Sequence, residues 1–160
     1  MRLQAWSEDA FDVLRRANTP EMMTHLGGPE SEEKLADRQR RYLALDEPGA
    51  GQMFVITADG EPAGVVGYWE REEQGESTYE AGWSVLPEFQ GRGIAGAGLR
   101  LVIADARRAP RHRRMHAYPS IHNAASNAVC RKAGMVLAGE CDFEYPKGNP
   151  IRGNDWYLEL

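Results

Sequence analysis

Residues 87–100, read PEFQGRGIAGAGLR, place a Gly91-x-Gly93-x-x-Gly96 pattern between an apolar run, Trp83-Ser84-Val85-Leu86, and a stretch of helical spacing. A strand, a glycine-rich turn and a helix in that order build an anion site. Glycines carry no Cβ, so the backbone bends tightly and lies close to a ligand. The first N–H groups of the following helix have no intrahelical partners and carry the positive end of its dipole. A phosphate or pyrophosphate is the natural guest, and Arg92 stands ready to add a charge beside it. The same letters match the dinucleotide-binding fingerprint. They also fit a purely structural use, with glycines turning the chain and a small-residue face packing on a sheet.

The order of elements separates these readings. Residues 2–6 read as a first strand ending at Ser7, which caps a helix reaching about Asn18. Thr19-Pro20 restarts a short turn of helix that stops at Gly27-Gly28-Pro29. Ser31 opens another helix, with Leu35, Tyr42 and Leu45 at roughly helical spacing, and Pro48-Gly49 closes it. Residues 53–57 and 62–69 then read as strands joined by an Asp59-Gly60 hairpin turn. A polar turn at 72–77 leads to a third strand of that meander, 78–86, which feeds the glycine turn. A helix at 94–108, a strand at 115–118, a helix at 124–132 closed by Gly134, and strands at 135–143 and 155–160 complete the chain. The expectation is an α+β fold with one domain over residues 1–160. Its central sheet is mixed and mostly antiparallel, of about seven strands, with helices on both faces. A dinucleotide loop follows the first strand of a parallel unit and needs an acidic residue about 20 positions on. Here antiparallel strands come first, and no Asp or Glu stands between Asp105 and Glu140.

Gln90-Gly91-Arg92-Gly93-Ile94-Ala95 also matches the Q/R-x-x-G-x-G/A segment of the GNAT acyl-CoA N-acyltransferases. Downstream, Asn123-Ala-Ala-Ser126 leads through Val129, Lys132 and Gly134 to Met135. That spacing resembles the C-terminal half of GNAT enzymes, especially the branch of the ribosomal-protein N-terminal acetyltransferases RimJ and RimL. The run YEAGWSVLPEFQGRGIA is similar to that branch's fourth strand, and the terminal NDWYLEL to its last. The resemblance covers residues 50–160 well and the first 50 loosely. It implies a GNAT fold and an acetyl-CoA-dependent N-acetyltransferase, with direct transfer to a primary amine and no metal. The acceptor would be a protein N-terminus or a small-molecule amine.

The resemblance also distributes roles. Gln90, Gly91, Arg92, Gly93, Ile94, Ala95 and Gly96 would hold the coenzyme pyrophosphate. The backbone at Ser84, Val85 and Leu86 would pair the pantetheine arm like an added strand. Asn123 matches the family asparagine beside that arm, and Ser126 is either a ligand or an ordinary first-turn residue. Transfer asks for one proton to leave the ammonium and one to reach the departing sulfur. Glu80 is the candidate base, in the pattern E-x-G, although some members carry their glutamate one residue earlier, where Tyr79 stands. For the acid, many members have tyrosine seven residues after the asparagine, a place held here by Cys130. Near a helix C-terminus its thiol should stay protonated, as a weak donor or as a core residue. Tyr118 is the second candidate donor, and water remains open for both steps.

Composition sets outer limits. The 160 residues carry a net charge of −5, which argues against general nucleic-acid binding, so the expected partners are acetyl-CoA and an amine. No apolar run approaches membrane-spanning length and no secretory signal is visible, so no membrane partner is expected. The two cysteines lack metal or framework spacing and suit a reducing cytoplasm. Whether the chain forms a homodimer stays open. The basic run 107–114 reads as a solvated turn or as a reach for the coenzyme's 3′-phosphate, and residues 70–73 as a solvated hairpin end. The four histidines show no ligand spacing. A second function class stays open beside the enzyme: a GNAT-like domain that binds acyl-CoA as a sensor or scaffold with little turnover.

Overall fold

The computed structural model describes residues 1–73 and 75–160. Among these residues seven strands form one sheet: β1 (Arg2–Ala5), β2 (Gly51–Ala58), β3 (Glu61–Glu73), β4 (Glu76–Val85), β5 (Arg114–Ala117), β6 (Val136–Glu144) and β7 (Pro150–Glu159). Four helices accompany them: α1 (Phe11–Ala17), α2 (Glu32–Leu43), α3 (Ile94–Arg108) and α4 (Ala124–Lys132). The sheet runs β1-β2-β3-β4-β5-β7-β6. Only β4 and β5 pair in parallel; every other neighbouring pair is antiparallel. The expected mixed α+β architecture is what the chain adopts.

Alternation along the strands sends side chains to two cores, one on each sheet face. Ile56, Val66, Tyr68, Tyr79 and Met115 pack with Leu99, Val102 and Ile103 of α3 and Cys130 of α4. Met53, Val55 and Val65 face the other way, against Val13 and Leu14 of α1 and Leu35 of α2. Asp59 and Gly60 both take positive φ, 55° and 79°, as the tight β2–β3 turn requires.

The larger boundary differences from the sequence reading each have a physical reason. The Ser7 side chain makes no cap bond; a 3-10 turn, Glu8–Ala10, intervenes before α1. Helix α2 ends at Leu43 rather than Pro48, while Leu45 stays near Tyr42 through a turn in which its N–H donates to the Tyr42 carbonyl at 3.4 Å. Strand β3 extends to Glu73 and β4 starts at Glu76, so the expected polar turn and solvated hairpin end are mostly ladder. Gln74, within that turn, lies outside the described residues. Strand β7 starts at Pro150 rather than Asp155, because residues 150–154 pair with β6 although their composition reads as a turn.

Candidate active site

Strand β4 follows β3 from Glu76 to Val85, but touches β5 at only two register positions, Tyr79↔Met115 and Glu80↔His116. Beyond Ala117 the chain stays with β7 and leaves β4. The Asn154 N–H donates to the Pro119 carbonyl at 2.9 Å, and the Ile121 N–H to the Arg152 carbonyl at 3.0 Å. The β5-facing edge of residues 81–85 therefore opens into a gap. Which backbone groups line it follows from one bond: the Leu86 N–H donates to the Ala63 carbonyl at 2.8 Å, toward β3. Antiparallel ladders alternate, so Ser84 also faces β3, whereas Trp83 and Val85 face the gap. This corrects two of the three backbone positions expected to pair a pantetheine arm: Ser84 is turned to β3, and Leu86 donates to Ala63 of β3 while its carbonyl accepts from the Phe89 N–H at 2.9 Å. Val85 keeps its N–H for the gap, while its carbonyl accepts from Gln90 Nε2 at 2.9 Å.

The glycine turn stands at the mouth of this gap. After a 3-10 turn, Pro87–Phe89, Gly91 and Gly93 both sit at φ 75°, a conformation side-chain-bearing residues rarely take. A Cβ built on either glycine would meet no protein atom within 4 Å, so the loop faces open space. Helix α3 starts at Ile94 with Gly93 as cap and no acidic residue in its first turn. The Ala97 N–H returns to the Gly93 carbonyl at 3.1 Å, so Ile94, Ala95 and Gly96 present their N–H groups outward, as an anion requires. Arg92 is held elsewhere, donating to Asp59 at 2.8 Å in an exposed pair. Such pairs contribute about 0–1 kcal/mol, so an incoming phosphate competes for this guanidinium at little cost. A Cβ at Gly96 would meet only the Arg100 guanidinium, at 3.7 Å, whereas one at Gly98 would come within 3.3 Å of Ile56 Cδ1, so close helix-to-sheet approach falls to Gly98.

The basic run at the other end of α3 is used internally. Arg111 pairs with Glu47 and Glu70, Arg114 with Glu159, and Arg107 donates to the Glu159 carbonyl. Fifteen helical residues put it roughly 22 Å from the glycine turn, too far to share a phosphate cluster with it.

Of the three proton-transfer candidates, Cys130 is excluded by its surroundings. Its side chain is fully buried in the α3 core, and burial pushes the thiol up to about 12. Desolvation keeps it protonated. Cys130→Ala is expected to cost about 1–2 kcal/mol of stability and leave turnover near the parental value. Thermal unfolding with a kinetic assay checks this; trapping an acetyl-cysteine adduct there by intact-mass analysis would contradict it.

Glu80 and Tyr118 stand on the α1/α2 face, opposite the face of Tyr79 and Met115. Glu80 Oε2 accepts from Arg71 at 3.0 Å and from Trp69 Nε1 at 3.2 Å, both from β3. Tyr118 lies under the Arg71 guanidinium, 4.3 Å from its ring centroid, and stacks on His116 at 5.6 Å. His116 Nδ1 in turn lies 2.6 Å from Asp155 Oδ1. The sequence reading gave Arg71 to a solvated hairpin end and His116 to a structural or surface role, and passed over Asp155.

At the far wall of the gap, Asn123 Oδ1 caps α4 by accepting the Ser126 N–H at 3.1 Å. Ser126 is thus an N3 residue whose amide is already used. The neighbouring Asn127, buried and not singled out in the sequence, carries more. Its amide donates to the Ser120 and Asn123 carbonyls, and its Oδ1 accepts from Asn154 and Trp156, four bonds of 2.8–3.0 Å. On the α2 side of the sheet, Arg38 pairs with Glu30 at 2.6 Å and with Tyr145, tying α2 to the β6–β7 turn. Among the described residues no group of three or more His, Cys, Asp or Glu is placed to hold a metal, and no helix is long and apolar enough to cross a membrane.

A family model described as the acetyltransferase (GNAT) domain matches residues 1–136. The chain belongs to the GNAT acetyltransferases. Solved members share this GNAT fold along nearly the whole chain. RimL, a ribosomal L7/L12 alpha-N-protein acetyltransferase in complex with coenzyme A, aligns with TM-score 0.80 at 23% identity, over 99% of this chain and 93% of its own. A Salmonella typhimurium acetyltransferase that modifies the N-terminal serine of the 50S subunit protein L7/L12 gives 0.79 at 23%, over 99% and 94%. Spermidine N-acetyltransferase from Vibrio cholerae, with coenzyme A and spermine, gives 0.77 at 16%, over 99% and 94%. No curated protein matches by sequence. For this GNAT chain, such identities establish the fold and leave the acceptor to the site itself.

Proposed function

We propose that this GNAT chain is an acetyl-CoA-dependent N-acetyltransferase, one domain over residues 1–160, acting in the cytoplasm by direct transfer to a primary amine. One observation carries the reading: β4 and β5 part beside the outward N–H groups of Ile94, Ala95 and Gly96. A pyrophosphate at the helix start and a pantetheine amide at Val85 would direct the thioester toward the point where the strands separate, next to Glu80 and His116. The relatives named above act on a protein N-terminus and on a polyamine, so the acceptor class stays a primary amine. Coenzyme A release that depends on an added amine tests the proposal.

A second reading, an acyl-CoA-binding sensor with little turnover, draws support from a specific pair of facts. Cys130 is buried, and Glu80 is already engaged by Arg71 and Trp69. The enzyme reading needs a proton acceptor other than Glu80 and a proton donor other than Cys130.

A further inference from the structure

We infer that His116, oriented by Asp155, is the general base that takes the proton from the acceptor ammonium. The inference rests on the acetyl-transfer reading and names the proton acceptor it lacks.

Position comes first. His116 pairs with Glu80 at the last β4–β5 register position before the strands part. Paired residues of neighbouring strands, about 4.8 Å apart, project to the same face, so the imidazole stands at the apex of the opening. Orientation comes second. Asp155 Oδ1 lies 2.6 Å from Nδ1. An ionised carboxylate only accepts, so in the neutral ring Nδ1 carries the hydrogen and Nε2 the lone pair. Nε2 has no hydrogen-bond partner among the described residues. The ring is fixed by parallel stacking on Tyr118 at 5.6 Å and by Tyr157 at 5.9 Å. The groups facing it are Glu80 from β4, Tyr118 just past the end of its own strand, and Asp155 and Tyr157 from β7. Arg71 of β3 lies beyond, over Tyr118.

Glu80 fills a different role. With Oε2 held by Arg71 and Trp69, it is a fixed negative charge that draws the ammonium toward the thioester. His116 Nε2 then takes one ammonium proton and passes it to solvent. The free amine forms a C–N bond at the acetyl carbon as the C–S bond breaks. A second proton from that nitrogen ends on the departing sulfur, so coenzyme A leaves as the thiol and the product is the neutral amide. Asp155 is a positioning residue: it acts through the tautomer it selects.

The test measures kcat and KM against pH, together with acetyl-CoA affinity by calorimetry, in the parent, His116→Gln and Asp155→Asn. Positioned bases contribute ~10²–10⁴-fold, and His116→Gln is expected to lower kcat by that order with unchanged acetyl-CoA affinity. The parent's acid limb, where protonated imidazole cannot accept, should vanish in this variant, its residual rate rising with pH as the amine deprotonates unaided. Asp155→Asn presents an amide N–H to Nδ1 and turns Nε2 into a donor, so a loss of about tenfold or more and a displaced acid limb are expected. It reports on the base independently if His116→Gln does not fold. Parental kcat and an intact acid limb in either folded variant would overturn the inference. A parent with no turnover on any amine would overturn the acetyl-transfer reading itself, and the inference with it.

Discussion

Gly93→Val is expected to lower acetyl-CoA affinity by about tenfold or more, a loss of roughly 1.4 kcal/mol or greater, while the protein remains folded. The reason is in the loop's two properties. Its φ of 75° is a conformation that a β-branched residue adopts only at a cost of about 1–3 kcal/mol. Its missing Cβ points at no protein atom, so the added methyls collide with nothing in the free chain. They occupy the space over the Ile94, Ala95 and Gly96 amides, where a pyrophosphate must approach the backbone. The melting temperature should fall by about 2–4 °C per kcal/mol of strain for a chain of this length. Calorimetry on the folded variant measures the rest. Unchanged affinity would remove the loop from the coenzyme site, and saturable NAD binding by the parent would revive the dinucleotide reading.

Asn127→Ala should be the most destabilising single truncation at the site. One buried side chain satisfies the Ser120 and Asn123 carbonyls and the Asn154 and Trp156 N–H groups. Removing it leaves the Trp156 indole N–H and the Asn154 amide without their acceptor, while the Ser120 and Asn123 carbonyls keep the backbone N–H groups of Asn123 and Asn127; each group left unpaired costs about 1–3 kcal/mol when no water replaces the partner. A total of about 3–4 kcal/mol corresponds to a melting point lower by roughly 6–16 °C. The effect should also reach binding, because these bonds hold the start of α4 and residues 118–123 against β7, and thereby keep the gap open. Thermal unfolding checks the first part and acetyl-CoA titration the second. A shift below about 2 °C would show that water takes over the network.

The features legible in the sequence are those whose cause is local. Helices α3 and α4 run over the residues expected, because Gly93 starts one, Asn123 caps the other, and Gly134 with φ 87° ends it. The Asp59-Gly60 turn and the meander around it follow from turn chemistry and period-two alternation. The errors come from pairing. Whether Ser84 or Val85 faces the gap depends on the phase of the β3–β4 ladder, set by the Leu86–Ala63 bond and invisible in the letters. His116 and Asp155 stand 39 positions apart and meet only through the β5–β7 register. Part of a signal was present: alternation puts His116 with Tyr118, and Asp155 with Tyr157, on single strand faces. Nothing short of the register puts those faces together. Cys130 shows the opposite case, since its place at the family's donor position says nothing of how deeply the α4 packing buries it.

On the proposed function, the gap between β4 and β5 brings acetyl-CoA to a waiting amine. Its most direct measurement is coenzyme A thiol release from acetyl-CoA over a panel of peptides with free N-termini, polyamines and aminoglycosides, with products identified by mass spectrometry. Release is expected to saturate in acetyl-CoA, to require the amine, and to yield an N-acetylated product in equal amount. Saturable acetyl-CoA binding with no amine-dependent release across the panel would contradict it and return the chain to the sensor reading.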